Sequence, residues 1–343
     1  MTRRLHPLRI AAAALAVIVI HAAPAAADPP RPTDYRSTVT AIEPGTSNVR
    51  ADVVGGDGFL QITVDPGHEV VVDGYNGEPY LRFQKDGTVE RNSRSTATYL
   101  NRRRSGRVKL PPQADNAAAP VWQKVASGGS YAWHDHRIHW MGQGRPPGIK
   151  PGDTVQNWTV RLAVDGRPAA VTGRLVLEAG VSPLPWVALG LVAAGAVALL
   201  ARRREVLIAG IAVLIAGVGA LAVGIGQFQI APAGTGSNPL LIGVPAFAVG
   251  AAAVGIVLRR QFTGVVLTLA GAAAVIGWVL LRVTVLWKPI LPTNLPYNLD
   301  RALTATALGL AIAGAAVLVW GGSLQVARGR TGAVATDGGG VPR

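Results

Sequence analysis

The chain has 343 residues, 49% hydrophobic and only 15% charged, with 33 Lys plus Arg, 19 Asp plus Glu and no cysteine. A soluble domain carries about 25% charged residues, so the deficit points to long uncharged stretches and to membrane. The missing thiols exclude a disulfide framework, a thiol nucleophile, a Cys-bound metal and a blue-copper centre.

Residues 1–27 read as a secretory signal: Arg3, Arg4 and Arg9 precede an apolar run from Ile10 to Ile20, and Ala25-Ala26-Ala27 offers a cleavage site before Asp28. The net charge of +14 is unevenly spread, with +3 in this signal, +3 over 28–182 and +8 over 183–343. The excess therefore sits mainly in short loops of the last segment, as membrane topology requires, and nucleic acid is not an expected partner.

Segment 28–182 has the size of one exported domain. Nine short stretches alternate or cluster β-branched and aromatic residues: Val49–Val54, Phe59–Asp65, Glu69–Tyr75, Tyr80–Phe83, Thr88–Asn92, Val121–Ala126, Tyr131–Met141, Thr154–Val164 and Ala170–Leu177. Turn dipeptides separate them, among them Asp57-Gly58, Asp73-Gly74, Asp86-Gly87 and Asp165-Gly166. The pattern predicts a β-sandwich of immunoglobulin-like or cupredoxin-like type. Residues 28–36 read as an extended leader, and the run Arg102-Arg103-Arg104 as a solvated positive loop.

The candidate chemistry lies in Trp133-His134-Asp135-His136-Arg137-Ile138-His139-Trp140-Met141. On an unbroken strand His134 and His136 share one face, and two imidazoles so spaced can converge on copper or zinc. His68 is the only other exported histidine and the candidate third ligand, while His139 joins only if the strand turns over. Two other readings stand beside the metal site. Asp135, Arg137 and His139 can form a buried polar network, and clustered imidazoles can sense acid. No Gly-x-Ser-x-Gly elbow or His-Glu-x-x-His motif is present, so no enzyme is expected.

From Leu184 five apolar stretches follow, Leu184–Ala201, Val206–Gly226, Pro239–Leu258, Phe262–Leu281 and Ala302–Trp320. Each is near the ~20 residues that cross a bilayer, and together they predict an all-α bundle of five transmembrane helices over 183–322. With 28–182 outside, Arg202-Arg203-Arg204, Arg259-Arg260 and the tail 323–343 fall in the cytoplasm, satisfying the positive-inside rule. The spans Val206–Leu281 and Ala302–Trp320 hold no Asp, Glu, His or Met, which disfavours a proton-coupled or Met-lined path. The loop Thr284–Leu299 reads as an interfacial aromatic belt, although it is long enough to touch the exported domain.

Gly77-Glu78-Pro79-Tyr80-Leu81-Arg82-Phe83, the histidine segment and the five small-residue helices together resemble a set of uncharacterised actinobacterial membrane proteins. A looser likeness, confined to His134-x-His136, is to exported copper-binding β-domains, those of the copper-resistance protein C family and the amino-terminal cupredoxin domain of particulate methane monooxygenase. Those domains use an amino-terminal histidine where the mature chain here begins at Asp28, so His68 takes that place. The expectation is a membrane-anchored envelope protein binding a divalent metal, copper before zinc, in metal handling. The alternative is an interaction or assembly module that recruits an envelope protein partner.

Overall fold

The computed structural model describes residues 30–230 and 238–321; the signal 1–27 and the tail 323–343 lie outside them. Ten strands form two antiparallel sheets. They are β1 (Tyr35–Glu43), β2 (Val49–Val54), β3 (Phe59–Val64), β4 (Val70–Asp73), β5 (Pro79–Phe83), β6 (Val89–Asn92), β7 (Trp122–Ala126), β8 (Ser130–Trp133), β9 (Thr154–Val164) and β10 (Arg167–Leu177). One sheet has seven strands in the order β1-β10-β9-β4-β5-β6-β7, the other three in the order β2-β3-β8. Leu60, Ile62 and Trp133 of the small sheet and Val70, Leu81, Phe83, Val160 and Leu175 of the large one meet in a single buried cluster.

The Asp165-Gly166 pair closes the β9–β10 hairpin with both residues at positive φ, 50° and 77°, as a two-residue turn of this kind demands. Three expectations change. β1 is a strand where an extended leader and an unassigned stretch were expected, because only Ser37 within it is buried and no apolar alternation marks an edge strand. A one-turn helix, α1 (Ala97–Leu100), interrupts the all-β pattern. The expected strand Tyr131–Met141 ends at Trp133 and continues as a loop.

Five apolar helices follow: α2 (Leu184–Leu200), α3 (Glu205–Gln229), α4 (Leu240–Val257), α5 (Phe262–Leu281) and α6 (Tyr297–Trp320). The last four are long and apolar enough to cross a membrane, and α2 is shorter at 17 residues. Small residues let the axes approach: a Cβ on Gly309 of α6 would stand 2.0 Å from the Gly190 carbonyl oxygen of α2.

The loop 282–296 touches the β-domain, as its length allowed. Thr33 and Ile290 exchange both backbone hydrogen bonds, at 3.0 and 3.2 Å, and the Val181 amide donates to the Trp287 carbonyl at 3.0 Å. Lys288 pairs with Asp34. From below, Arg301 donates through Nε to Val285 O (3.0 Å) and through Nη2 to Lys288 O (2.7 Å). Arg282, itself 7% exposed, donates through Nη2 to both oxygens of the fully buried Asp300. The loop is thus clamped between the β-domain and α6.

Candidate functional site

The segment after β8 defeats the face alternation expected of a strand. Neighbours His134 and Asp135 are both buried, and so are Ile138 and His139. A turn closed by the Ile138 amide on the Asp135 carbonyl (3.1 Å) produces this, so His134 and His136 are not a pincer on one strand face.

Asp135 is the hub. It is completely buried and accepts from Trp133 Nε1 (2.9 Å), the Arg137 amide (3.0 Å), Arg137 Nε (2.8 Å) and Arg137 Nη2 (2.7 Å). Burial opposes its charge, but the Arg137 guanidinium and these donors hold it below the ordinary carboxylate range. Arg137 also donates to the Asp73 carbonyl at 3.2 Å and lies over the Tyr75 ring at 5.1 Å. The polar network expected around Asp135 and Arg137 is present, but His139 bonds elsewhere.

Each histidine of the loop sets a ring nitrogen on a backbone carbonyl. His134 donates from Nδ1 to the Gly58 carbonyl and stacks on Phe59 with centroids 4.2 Å apart. His136 donates from Nε2 to Arg103 O at 3.0 Å, and its amide donates to the Tyr75 hydroxyl, also at 3.0 Å. That hydroxyl in turn donates to Asn101 Oδ1. His139 donates from Nε2 to Arg104 O at 3.2 Å and meets His136 edge to face, centroids 5.5 Å apart. Its Nδ1 is buried without a hydrogen-bond partner.

Burial, with Arg104 and His136 adding to it, pushes the His139 imidazole down to about 3, and burial lowers His136 as well. Both rings are therefore neutral near pH 7, with the Nε2 tautomer fixed and Nδ1 carrying the lone pair. His68 is taken up elsewhere, its Nδ1 against Asp165 Oδ2 at 2.8 Å. Among the described residues no group of three or more His, Asp or Glu side chains is placed to hold a metal ion.

The supporting residues were not legible beforehand. The run Arg102-Arg103-Arg104 is exposed at Arg102 and Arg103, as a solvated loop would be, but Arg103 and Arg104 supply carbonyls just past the end of α1, and half-buried Arg104 pairs with Asp57, which is 0% exposed. Burial raises the Asp57 carboxyl, and Arg104 partly offsets it. Main-chain acceptors carry no residue signature, so only the histidine segment itself, with Asp135 and Arg137, was visible in sequence. Gly106, at φ +63°, brings its backbone so near that a Cβ would stand 2.8 Å from His136 Cε1. No protein-family model, curated protein or solved structure matches this chain.

Proposed function

We propose that this is a membrane-anchored cell-envelope protein that handles a metal ion, copper before zinc, at a two-imidazole site formed by His136 and His139. One observation carries the reading: the buried His139 Nδ1 has no partner beside the His136 ring, while both rings are anchored by Nε2–H on consecutive backbone carbonyls. A backbone carbonyl on one imidazole nitrogen is the arrangement by which proteins orient the other toward a metal. The low proton affinity of both rings leaves them ready as neutral ligands. The site set contracts accordingly, since His68 is committed to Asp165 and the Nδ1 of His134 to Gly58.

In this reading all five helices span the bilayer, the β-domain lies outside and the arginine-bearing loops face the cytoplasm. The expected outcome of calorimetric titration of the full chain with cupric and zinc ions is stoichiometric binding. It is retained in His68→Gln and lost in the double variant His136→Gln/His139→Gln. Binding that survives the double variant, or that is absent from the parent protein, overturns the metal reading.

A second reading is favoured by the four hydrogen bonds on Asp135: a non-catalytic interaction or assembly module in which the histidine loop is a structural latch. It is distinguished by the same double variant, which then loses stability in the presence of a chelator and gains none from metal.

A further inference from the structure

The end of the helix bundle remote from the β-domain carries two adjoining concavities. The first is an open hollow of about 620 Å³ where the link between α2 and α3 faces the α4–α5 loop. Arg202, Arg204, Arg259 and Arg260 line it together with a single acid, Glu205, and the first apolar turn of α3. No side chain caps α3 there, so the amides of its first turn add positive potential. The second is a groove of about 550 Å³ between α2 and α6, floored by Ala194, Gly195, Ala198, Ala313 and Ala316 and bounded by Trp320, which is 86% exposed. Arg202 and Glu205 belong to both.

A positive loop that only sets topology needs neither a concavity nor a junction with an apolar channel. Here four guanidinium groups meet a small-sided groove on the outer surface of apolar helices, and the two parts differ in chemistry as the two ends of a lipid do. Guanidinium groups bind phosphate oxygens through paired hydrogen bonds, and basic pockets at helix ends bind anionic headgroups. A groove floored by alanine and glycine accepts a polymethylene chain that larger side chains would exclude.

We propose that this end of the bundle holds one anionic glycerophospholipid, its phosphate among Arg202, Arg204, Arg259 and Arg260 and one acyl chain along the α2–α6 groove. The assignment requires the bundle to lie in a bilayer and is independent of the histidine site.

The test uses the full chain in mild detergent, titrated with phosphatidylglycerol or phosphatidylcholine, with retained lipid counted by native mass spectrometry. The expected result is at least a tenfold preference for phosphatidylglycerol. That preference is lost in Arg259→Gln/Arg260→Gln, which keeps Arg202 and Arg204 in place. Ala198→Phe, a change at an exposed groove position that leaves the charge untouched, should lower phosphatidylglycerol retention several-fold. Equal retention of the two lipids, or a preference indifferent to both variants, overturns the proposal. Displacement of the lipid by millimolar glycerol 3-phosphate also overturns it, because the hollow would then be a site for soluble phosphate.

Discussion

At the scale of residues, the His139 ring sits between two demands, a buried position and a donor bond to Arg104 O. Its folded pKa of about 3 lies below the ordinary 6.5, so the unfolded chain binds the extra proton between those values. Stability is then complete above about pH 6.5 and declines as pH falls toward 3, by roughly 4–5 kcal/mol at the upper limit. In the metal-free protein, His139→Gln keeps a donor for Arg104 O without a titrating group. The slope of denaturant stability against pH between 6.5 and 3 should flatten in that variant. Asp135→Ala is the severest single change expected, because Arg137 is left with an unpaired, largely buried charge, at a cost of about 3–5 kcal/mol in chemical unfolding. Gly106→Ala strains a positive φ and drives a methyl into His136, at roughly 1–3 kcal/mol. A thermal melt that leaves this variant at the parent temperature contradicts the close approach. The histidines and their acidic neighbour were legible as a cluster, whereas the geometry was not. Alternation assumes a strand, whereas the turn that replaces it is also held from the following strand, where Gln156 donates to the Arg137 carbonyl at 2.8 Å.

At the scale of elements, legibility followed solvent contact. Strands with one face in the core, such as β3 and β9, announced themselves through alternation, and the Asp165-Gly166 turn through its residue types. β1 did not, since it pairs only with β10 and keeps most side chains half-exposed. The helices were legible in position because an apolar run needs no partner to be apolar. Their packing was not, because which glycine meets which carbonyl is a property of two helices. Gly309 and Gly250 separate these cases. A side chain at Gly309 forces α2 and α6 apart, and Gly309→Val should destabilise the bundle by about 1–3 kcal/mol. A Cβ at Gly250 meets nothing within 4 Å, and Gly250→Ala should be neutral or gain about 0.5–1 kcal/mol from helix propensity. Thermal aggregation of the detergent-solubilised variants ranks the two, and a larger loss at Gly250 than at Gly309 contradicts this helix contact.

At the scale of the whole molecule, the junction between the sheets and the helices is built from backbone as well as charge. Thr33 and Ile290 form a hydrogen-bonded antiparallel pair, a relation that places Cα atoms about 5.5 Å apart and within the range of a disulfide. The chain has no cysteine of its own, so Thr33→Cys/Ile290→Cys gives a clean readout. The two thiols should oxidise within one molecule, seen as a mobility shift on non-reducing gels that reductant reverses. Failure to cross-link both under oxidant and with a short bis-maleimide, which spans a wider Cβ separation than a disulfide, means that the two halves part in solution. The loop's length allowed this contact, but its partners were not legible, because Lys288 in the loop, Arg301 in α6 and Asp34 ahead of β1 read equally well as charges facing water. The same clamp decides how the molecule meets others. A domain on a slack leash searches the volume around its anchor. In the proposed membrane setting, one bolted to its base would sweep only the plane in which that base diffuses and hold its histidine loop at a constant height and tilt, so that any counterpart would have to come to that height.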